Sequence, residues 1–407
     1  MSSKRIVIQD YAGHPFPVQL SRELAKRGHI VLHLYAGFNQ TPHGSLQKLK
    51  SDPQEFNTKG IYIRKPLQKY SFVKRWFQER EYGYLATEEI TLFKPDVVLS
   101  ANMPLDAQSI LFNACKKNDI RFVYWLQDVI SVAAKLLLGK KIPVAGNLIG
   151  SHYITLEKKL LRASDHIVLI AGEYEPFLLG WGVSKQKMSI IHNWAPLNEL
   201  PPLPKDNPWS REHGLHDKFC FLYSGTLGIK HNPDLLLSLA VHFKDNPNVR
   251  VLIGSEGLGA EWLRQKKEEL NLPNLILMGF QPMEKFPQVL AAGDVLVAIL
   301  EPDAGMFSVP SKVLSYLCAQ RPLLLSVPAE NLAAKIITTY EAGLLVQPYD
   351  MDEMIQRANE LYQNLPLRRK LAQNARKYAE NNFDIRSIAL KFEALLDGYK
   401  NSGQAKS

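Results

Sequence analysis

Cysteine is scarce in this sequence: three in 407 residues, Cys115, Cys220 and Cys318, far apart and with no CxxC pair. That spacing excludes a disulfide framework and a zinc site built on paired cysteines, and it points to a reducing compartment. Long apolar runs are missing as well. After Lys4-Arg5 the run Ile6-Val7-Ile8 is too short for the core of a signal peptide. No stretch approaches the ~18 apolar residues of a membrane span. Neither glycine fingerprint of nucleotide binding occurs, GxGxxG or GxxxxGK[ST], so an ordinary dinucleotide site and a P-loop are excluded. Nucleic-acid signatures of the helix-turn-helix, RRM and KH kinds are also absent.

What is present describes an ordinary globular protein, 46% hydrophobic and 22% charged. Its length suits two domains, each with its own core. The net charge of +9 suits an anionic partner such as nucleic acid, anionic lipid or a phosphorylated substrate.

Short β-branched runs alternate with helical patterns: RIVIQ (5–9), IVLHLY (30–35), IYIRK (61–65), DVVLS (96–100), RFVYWL (121–126) and HIVLI (166–170). After a stretch with five prolines, APLNELPPLPKDNPWS (195–210), a second series follows: FCFLYSG (219–225), VRVLIG (249–254), NLILMG (274–279), DVLVAIL (294–300), RPLLLS (321–326) and AGLLVQP (342–348). Strands separated by helices predict two doubly wound α/β domains, with ligand sites at the carboxyl ends of the strands. The proline run reads as a linker. From Met351 the chain reads as helical.

Three strand-to-helix turns carry residues suited to an anion. DYAGHPFPVQL (10–20) sets Gly13 and His14 before a helix entered through Pro15 and Pro17. YSGTLGIKHNPDLLLSLA (223–240) turns through Gly225 and Gly228, with Lys230 and His231 ahead of a helix near Pro233. AGMFSVPSKVLSYL (304–317) runs from Gly305–Ser308 through Pro310 into an apolar helix with Lys312 in its first turn. Glycine lets backbone approach a ligand, and the unpaired amides of a helix start hold negative charge. Two such starts on one edge of the second sheet suit a diphosphate better than a single phosphate. The bland alternative at each is a well-capped βα turn.

On these motifs the sequence resembles retaining glycosyltransferases of family 4, in the branch that builds bacterial exopolysaccharide and O-antigen. The matching stretches are SGTLGIKHNP, VLIGSEG (251–257), LMGFQPMEKFPQVLAAGDVLVAIL (277–300) and SVPSKVLSYLCAQRPLLLS (308–326), with IIHNWAP (190–196) similar to an element before the family's linker. The resemblance implies an α/β, GT-B fold: two Rossmann-like doubly wound domains facing a central cleft, with C-terminal helices. The expected bounds are 1–195 for an acceptor-binding domain, 196–217 for the linker and 218–383 for the nucleotide-sugar domain. A helix over 384–400 is expected to pack back on the first domain, before a disordered tail at 401–407.

Residue by residue, the resemblance implies a donor diphosphate held by Gly225, Thr226, Lys230 and His231, although many members carry arginine where Thr226 stands. Gly254 lies under the nucleotide, and Phe280 and Gln281 flank the base. Gly305, Met306, Phe307 and Ser308 meet phosphates and sugar, with Ser311 and Lys312 beside them. The family's Glu-x7-Glu falls on Phe307 and Ser315; neither is acidic, so the carboxylate contact to ribose is missing. Gly13 joins the set from the first domain. Such enzymes need no carboxylate nucleophile, because the donor phosphate accepts the acceptor's proton while dipoles and cations stabilise departing charge. Lys312, His14 and Asp128 (in WLQDVIS, 125–131) are the catalytic candidates. Asp128 either orients the acceptor hydroxyl or donor sugar, or caps the next helix.

The implied substrates are a UDP- or GDP-linked sugar and a lipid-linked or oligosaccharide acceptor, with no cofactor and no metal. Asp350-Met-Asp352 spells the DxD of metal-dependent transferases, yet its place before a helix predicts capping with Glu353. Basic and aromatic residues interleave in RKPLQKYSFVKRWFQER (64–80) and AAKLLLGKKIP (133–143). They predict an anionic membrane surface as partner rather than nucleic acid, and a cytoplasmic protein peripheral to the inner face of the plasma membrane. A solvated helix is the plain alternative. A GT-B sugar-nucleotide epimerase and a non-catalytic subunit of this fold are the other functional readings.

Overall fold

Valine, leucine and isoleucine runs become the strands of two all-parallel sheets. The computed structural model describes residues 2–39, 45–68, 71–228, 231–301 and 310–397, without the side chains of Leu137, Lys140, Lys141 and Asp397. Residues up to His192 and the helix starting at Ile385 form one unit; Asn193–Asp384 form the other.

The first unit runs β1 (Arg5–Asp10), α1 (Pro15–Lys26), β2 (Ile30–Ala36), β3 (Phe56–Ile61), α2 (Phe72–Phe93), β4 (Val97–Ala101), α3 (Leu105–Lys117), β5 (Arg121–Leu126), α4 (Ile130–Lys141), α5 (Pro143–Ala163), β6 (His166–Leu169), α6 (Tyr174–Gly180) and β7 (Met188–Ile190). Its strand order is β3-β2-β1-β4-β5-β6-β7. Every residue of β4 is buried, as a strand covered on both faces requires. The edges differ. The strand expected over 61–65 is instead Phe56–Ile61, FNTKGI, in which only Phe56 and Ile61 are buried. A polar edge strand carries little apolar signal, and its polarity blunts pairing with other chains.

The second unit runs α7 (Pro208–Glu212), β8 (Phe219–Ser224), α8 (Asp234–His242), β9 (Val249–Gly254), α9 (Leu258–Glu269), β10 (Leu275–Met278), α10 (Phe286–Ala292), β11 (Val295–Ile299), α11 (Ser311–Cys318), β12 (Leu323–Ser326), α12 (Leu332–Thr339), β13 (Gly343–Val346), α13 (Met351–Gln363) and α14 (Leu365–Asn382). Its order is β10-β9-β8-β11-β12-β13, around a core that includes Phe221, Tyr223, Leu236, Val251, Val297 and Met354.

The proline run expected as a linker is packed into this second unit. Asn207 caps α7 by accepting from Ser210 N at 3.0 Å, and its own amide donates to Ser210 Oγ at 3.0 Å. Trp209 is 1% exposed, and its Nε1 donates to Gln281 Oε1 at 3.2 Å. Arg321 reaches back to the carbonyl of Leu203 at 3.0 Å. Prolines stiffen the segment, while Trp209 supplies the apolar area that fastens it. At the other end Asp350 Oδ1 accepts from Glu353 N at 2.8 Å, so the DxD triplet caps α13. The Glu353 carboxylate turns to Gln347 N at 2.8 Å rather than completing a capping box.

Helix α15 (Ile385–Asp397) belongs to the first unit. Phe392 packs its ring 4.9 Å from that of Trp125. Glu393, 2% exposed, pairs with Arg27 at 2.7 Å and faces His29 Nε2 at 3.1 Å. Lys4 N donates to His29 Nδ1 at 3.2 Å, which leaves the ring proton on Nε2, toward the carboxylate. Burial pushes the Glu393 carboxyl up, but hydrogen bonds and charge from Arg27 and His29 more than offset it and hold its pKa below the ordinary value.

A depressed carboxyl pKa stabilises the fold above the unfolded value, roughly pH 4, and that contribution is lost as pH falls through the folded value. Glu393→Gln should therefore lower the urea-unfolding free energy by about 1–3 kcal/mol at neutral pH. The gap to wild type should close on acidification; a gap unchanged at low pH would show that the carboxylate charge is not what holds α15.

Candidate functional site

Each sheet reverses its strand order once, between β1 and β4 in the first unit and between β8 and β11 in the second. Ligands of doubly wound sheets bind beyond the carboxyl ends of the strands at such points.

In the second unit β11 pairs with β8 only at Phe221 and Leu222. Beyond them the strands part, and Ser224, the last residue of β8, needs other partners on that side. Tyr316 of α11 supplies both: its hydroxyl accepts from Ser224 N at 2.8 Å and donates to Ser224 O at 3.1 Å. One turn earlier on the same face, the Lys312 ammonium lies 3.7 Å from the centroid of the Tyr223 ring and donates to its hydroxyl. That hydroxyl donates onward to Thr226 O at 2.9 Å. Tyr223 is fully buried, and burial holds its phenol far above the ordinary range, so the ring stays neutral under the cation. Gly225 makes the arrangement fit: at φ +133° it turns the chain, and a Cβ there would come within 3.0 Å of Lys312 Cε. Among the described residues no side chain caps α11, and no acid stands in its first turn. Pro310 occupies the N-cap, one position ahead of the expected first helical place.

The other expected helix start, at α8, has several of its described amides already engaged. In the turn after β8 three amides are engaged: Gly225 N donates to Gly254 O at 3.0 Å, Leu227 N to Glu256 O at 3.4 Å, and Gly228 N to His231 Nδ1 at 3.1 Å. Asn232 Oδ1 takes Asp234 N at 3.0 Å, and Asp234 itself places negative charge in the first turn of α8.

Thr226 is exposed, and Gly254 lies beside Ser224 in register, with a Cβ position 3.6 Å from Ser224 Oγ. Phe280 is half-buried. Gln281 is held by Trp209, which makes it a support for α7 before any contact with a base. Ser311 and Ser315 stand one turn apart on the side of α11 that is not buried. Lys230, Gly305, Met306, Phe307 and Ser308 lie outside the described residues. Sequence reasoning missed Tyr223 and Tyr316, which read as core aromatics. It also missed Glu301, which directly follows DVLVAIL and whose carboxylate accepts from Tyr349 Oη.

In the first unit the strands stay paired to their ends, with Asp10 opposite Ala101. The buried Asp10 carboxylate then ties the loop: it accepts from Ala12 N at 3.3 Å, His14 N at 2.6 Å and Asn102 Nδ2 at 2.9 Å. Gly13 takes φ +72° inside this loop, and His14 is half-buried beside Phe16. Asp128 follows β5, two strands and about 10 Å away. It does not cap α4, whose N-cap is Val129 without a side-chain bond. The first turn of α4 is held instead by Glu157 of α5, buried completely, which accepts from Ser131 N at 3.1 Å and from Tyr124 Oη at 3.4 Å. Burial pushes the Glu157 carboxyl up to about 7 against the pull of its hydrogen bonds to Ser131, Ile130 and Tyr124.

Residues 206–378 match the family model described as glycosyl transferases group 1. Over 304 residues the chain is 21% identical to WcaI of Escherichia coli (strain K12), named for colanic acid biosynthesis, a match covering 74% of this chain and 73% of that protein. Sucrose-phosphate synthase from Thermosynechococcus elongatus has the same fold at TM-score 0.73 and 16% identity, over 97% of this chain and 98% of its own. HepE from Anabaena in complex with UDP-glucose follows at TM-score 0.71 and 16% identity, over 97% of this chain and all of its own. The fold is GT-B, and the part of the chain similar to the group 1 glycosyl transferases, residues 206–378, lies within the second unit.

An acid whose folded pKa is raised from 4.5 to about 7 keeps its proton in the folded state after the unfolded chain has lost it. Stability therefore falls as pH rises across that window and is level above it. Glu157→Gln should flatten this fall in urea unfolding followed between those two pH values. An identical pH profile in the variant would place the carboxyl pKa near its ordinary value.

Proposed function

We propose that the chain transfers a hexosyl or N-acetylhexosaminyl group from a UDP- or GDP-linked sugar to a lipid-linked or other oligosaccharide acceptor. The reaction proceeds with retention and without a metal ion, in assembly of a cell-surface polysaccharide at the inner face of the plasma membrane. The observation that carries this reading is the start of α11. It is uncapped by side chains and free of acid in its first turn, it bears Lys312, and it is fastened to the end of β8 at the switch point of the group 1 domain. The UDP-glucose of the HepE complex and the colanic acid in the name of WcaI support the substrate classes.

In this reading the donor diphosphate rests at the start of α11. As the bond from the anomeric carbon to the phosphate oxygen breaks, negative charge grows on the diphosphate, and the helix amides and Lys312 stabilise it. The acceptor oxygen bonds to the anomeric carbon on the face the phosphate leaves, and its proton passes to a phosphate oxygen. Ser315, where the family has an acid, offers the ribose a neutral hydroxyl. His14 and Asp128 orient the acceptor. The use of Asp350 as a helix cap supports a reaction without a DxD-bound metal.

Lys312→Ala and Lys312→Met should each weaken UDP or GDP binding by about 1.5–3 kcal/mol, the worth of a charge-assisted hydrogen bond, in titration calorimetry. The methionine variant keeps the apolar stem over Tyr223 and so separates lost charge from lost packing; equal affinity in wild type and both variants would remove the site.

Turnover should survive excess chelator. Activity abolished by EDTA and restored by manganese would overturn the metal-free scheme. A chain that binds a nucleotide sugar but neither transfers nor hydrolyses it would be a non-catalytic subunit.

A further inference from the structure

Asp128 is not alone at its end of the first sheet. Strands β5, β6 and β7 lie side by side, with Leu126 opposite Leu169 and Leu169 opposite Ile190. Two residues past that row stand Asp128 after β5, Ala171 after β6 and His192 after β7. Asp128 and His192 are thus two strand spacings apart, about 10 Å. At the place between them is only Ala171, which is buried. The chain turns there into α6, with Tyr174 N donating to Ala171 O at 3.3 Å.

Hydrogen bonding sorts the polar atoms of this edge. His192 Nδ1 lies 2.8 Å from the carbonyl oxygen of Ile170, which can only accept, so that nitrogen carries a proton. In the neutral ring Nε2 then holds a lone pair, and among the described residues it has no hydrogen-bond partner. The half-buried carboxylate of Asp128 likewise has no hydrogen bond or ion pair among the described residues. Buried Tyr174 does not supply one, because its hydroxyl donates to Gln127 O at 3.3 Å. Burial holds that phenol above its ordinary range, and the charges of Asp128 and Glu173 push it the same way, so it stays neutral. Lys185, the cation beside α6, is paired with Glu175 at 2.8 Å. Among the described residues no three acids, histidines or cysteines gather where a metal could be held.

We infer that Asp128 and His192 recognise one neutral pyranose of the acceptor, each accepting a hydrogen bond from one of its hydroxyls. The inference rests on the transferase reading and adds to it a second residue and the chemical class of the sugar at this edge. Both groups are acceptors, so the ligand must bring two donors, and a sugar hydroxyl is a donor without charge. Two strand spacings, less a hydrogen bond of about 3 Å at each end, leave the width of one pyranose ring. A sugar bearing carboxylate or phosphate would set its charge against Asp128, with Lys185 already committed to Glu175. Sites that hydrogen-bond a hydroxyl discriminate strongly, because a ligand lacking it leaves their own polar groups unpaired. In the sequence His192 stood only inside the IIHNWAP element, with nothing to mark its ring as oriented.

The test uses the full chain and saturation-transfer NMR, with UDP, GDP and simple methyl pyranosides as probes. Nucleotide binding reads the transferase proposal, and pyranoside binding reads this one. Among the methyl glycosides of glucose, galactose, mannose and N-acetylglucosamine, at least one should take saturation from the wild-type protein, and methyl glucuronide should bind at least about tenfold more weakly. His192→Asn keeps a donor at the Nδ1 position for Ile170 O but has no atom at Nε2. It should weaken the bound probe about three- to tenfold, the worth of one neutral hydrogen bond. Asp128→Asn, of the same shape without the charge, should weaken it at least about tenfold and narrow the gap to the glucuronide. UDP or GDP binding in the same samples reports that the second unit is intact. A wild-type chain that binds nucleotide but no methyl pyranoside, a glucuronide bound as well as the neutral sugar, or pyranoside affinity unchanged in either variant would each overturn the inference and leave the transferase reading standing. A chain that binds neither UDP nor GDP would overturn both.

Discussion

Where β8 and β11 part, the last amide and carbonyl of β8 lose a strand partner in a half-buried place. Leaving such groups unmade costs about 1–3 kcal/mol each, so the hydroxyl of Tyr316 is under strong constraint. Its two bonds to Ser224 fix α11 against the end of the sheet. Lys312 stands four residues earlier, on the same face of the helix, and is thereby set over the ring of Tyr223. A buried neutral phenol gives the ammonium both an acceptor and a π face. The cation is held beside the helix start by the protein's own contacts, the preorganisation that the proposed electrostatic role of Lys312 calls for. Gly225 follows from the same constraint, since any side chain there would compete with the lysine stem.

The first unit solves its switch point by another route. Its strands remain paired to the last residue, and the Asp10 carboxylate, rather than a helix, organises what comes after. With both oxygens occupied by amides and by Asn102, Asp10 is a scaffold for the loop and not a base. In the proposed reading the side chains of that edge that meet an acceptor are His14 and Asp128, which follow separate strands. One sheet end is thus built to hold a charge and the other to hold a shape.

Central strands were legible because burial on both faces leaves unbroken apolar runs, as in VLVAI and VVLSA. Strands β3 and β7 were not, since an edge needs polar residues and is short. The proline run misled for a related reason: its composition is that of a linker, while a single tryptophan and an asparagine cap decide its packing. At the site, helix starts and glycines could be read directly, and Lys312 with them. What could not be read was which amides are already satisfied. His231 closing on Gly228, and Asn232 on Asp234, are contacts of three and two residues that any βα turn might or might not make. Tyr223 and Tyr316 carried no signal because a buried tyrosine looks like core until its hydroxyl is placed.

The exposed hairpin of α4 and α5 in the first unit shows how an apolar surface can persist without weakening the fold. Glu157, on α5, bonds to the first turn of α4 and to Tyr124 of β5, so one buried carboxyl joins both helices to the sheet at the root of the hairpin. Gly146 and Gly150 then let the two helices touch backbone to backbone toward the tip. Stability is concentrated at the root and along the glycine seam, and the leucine, isoleucine and valine side chains beyond them are released from core duty. Net charge alone would not have located this surface, because Arg75 and Arg80 of α2 face acids, while among the described residues no ion pair involves Lys158, Lys159 or Arg162 of α5. Local pairing, not the total of +9, decides which face of the unit remains positive.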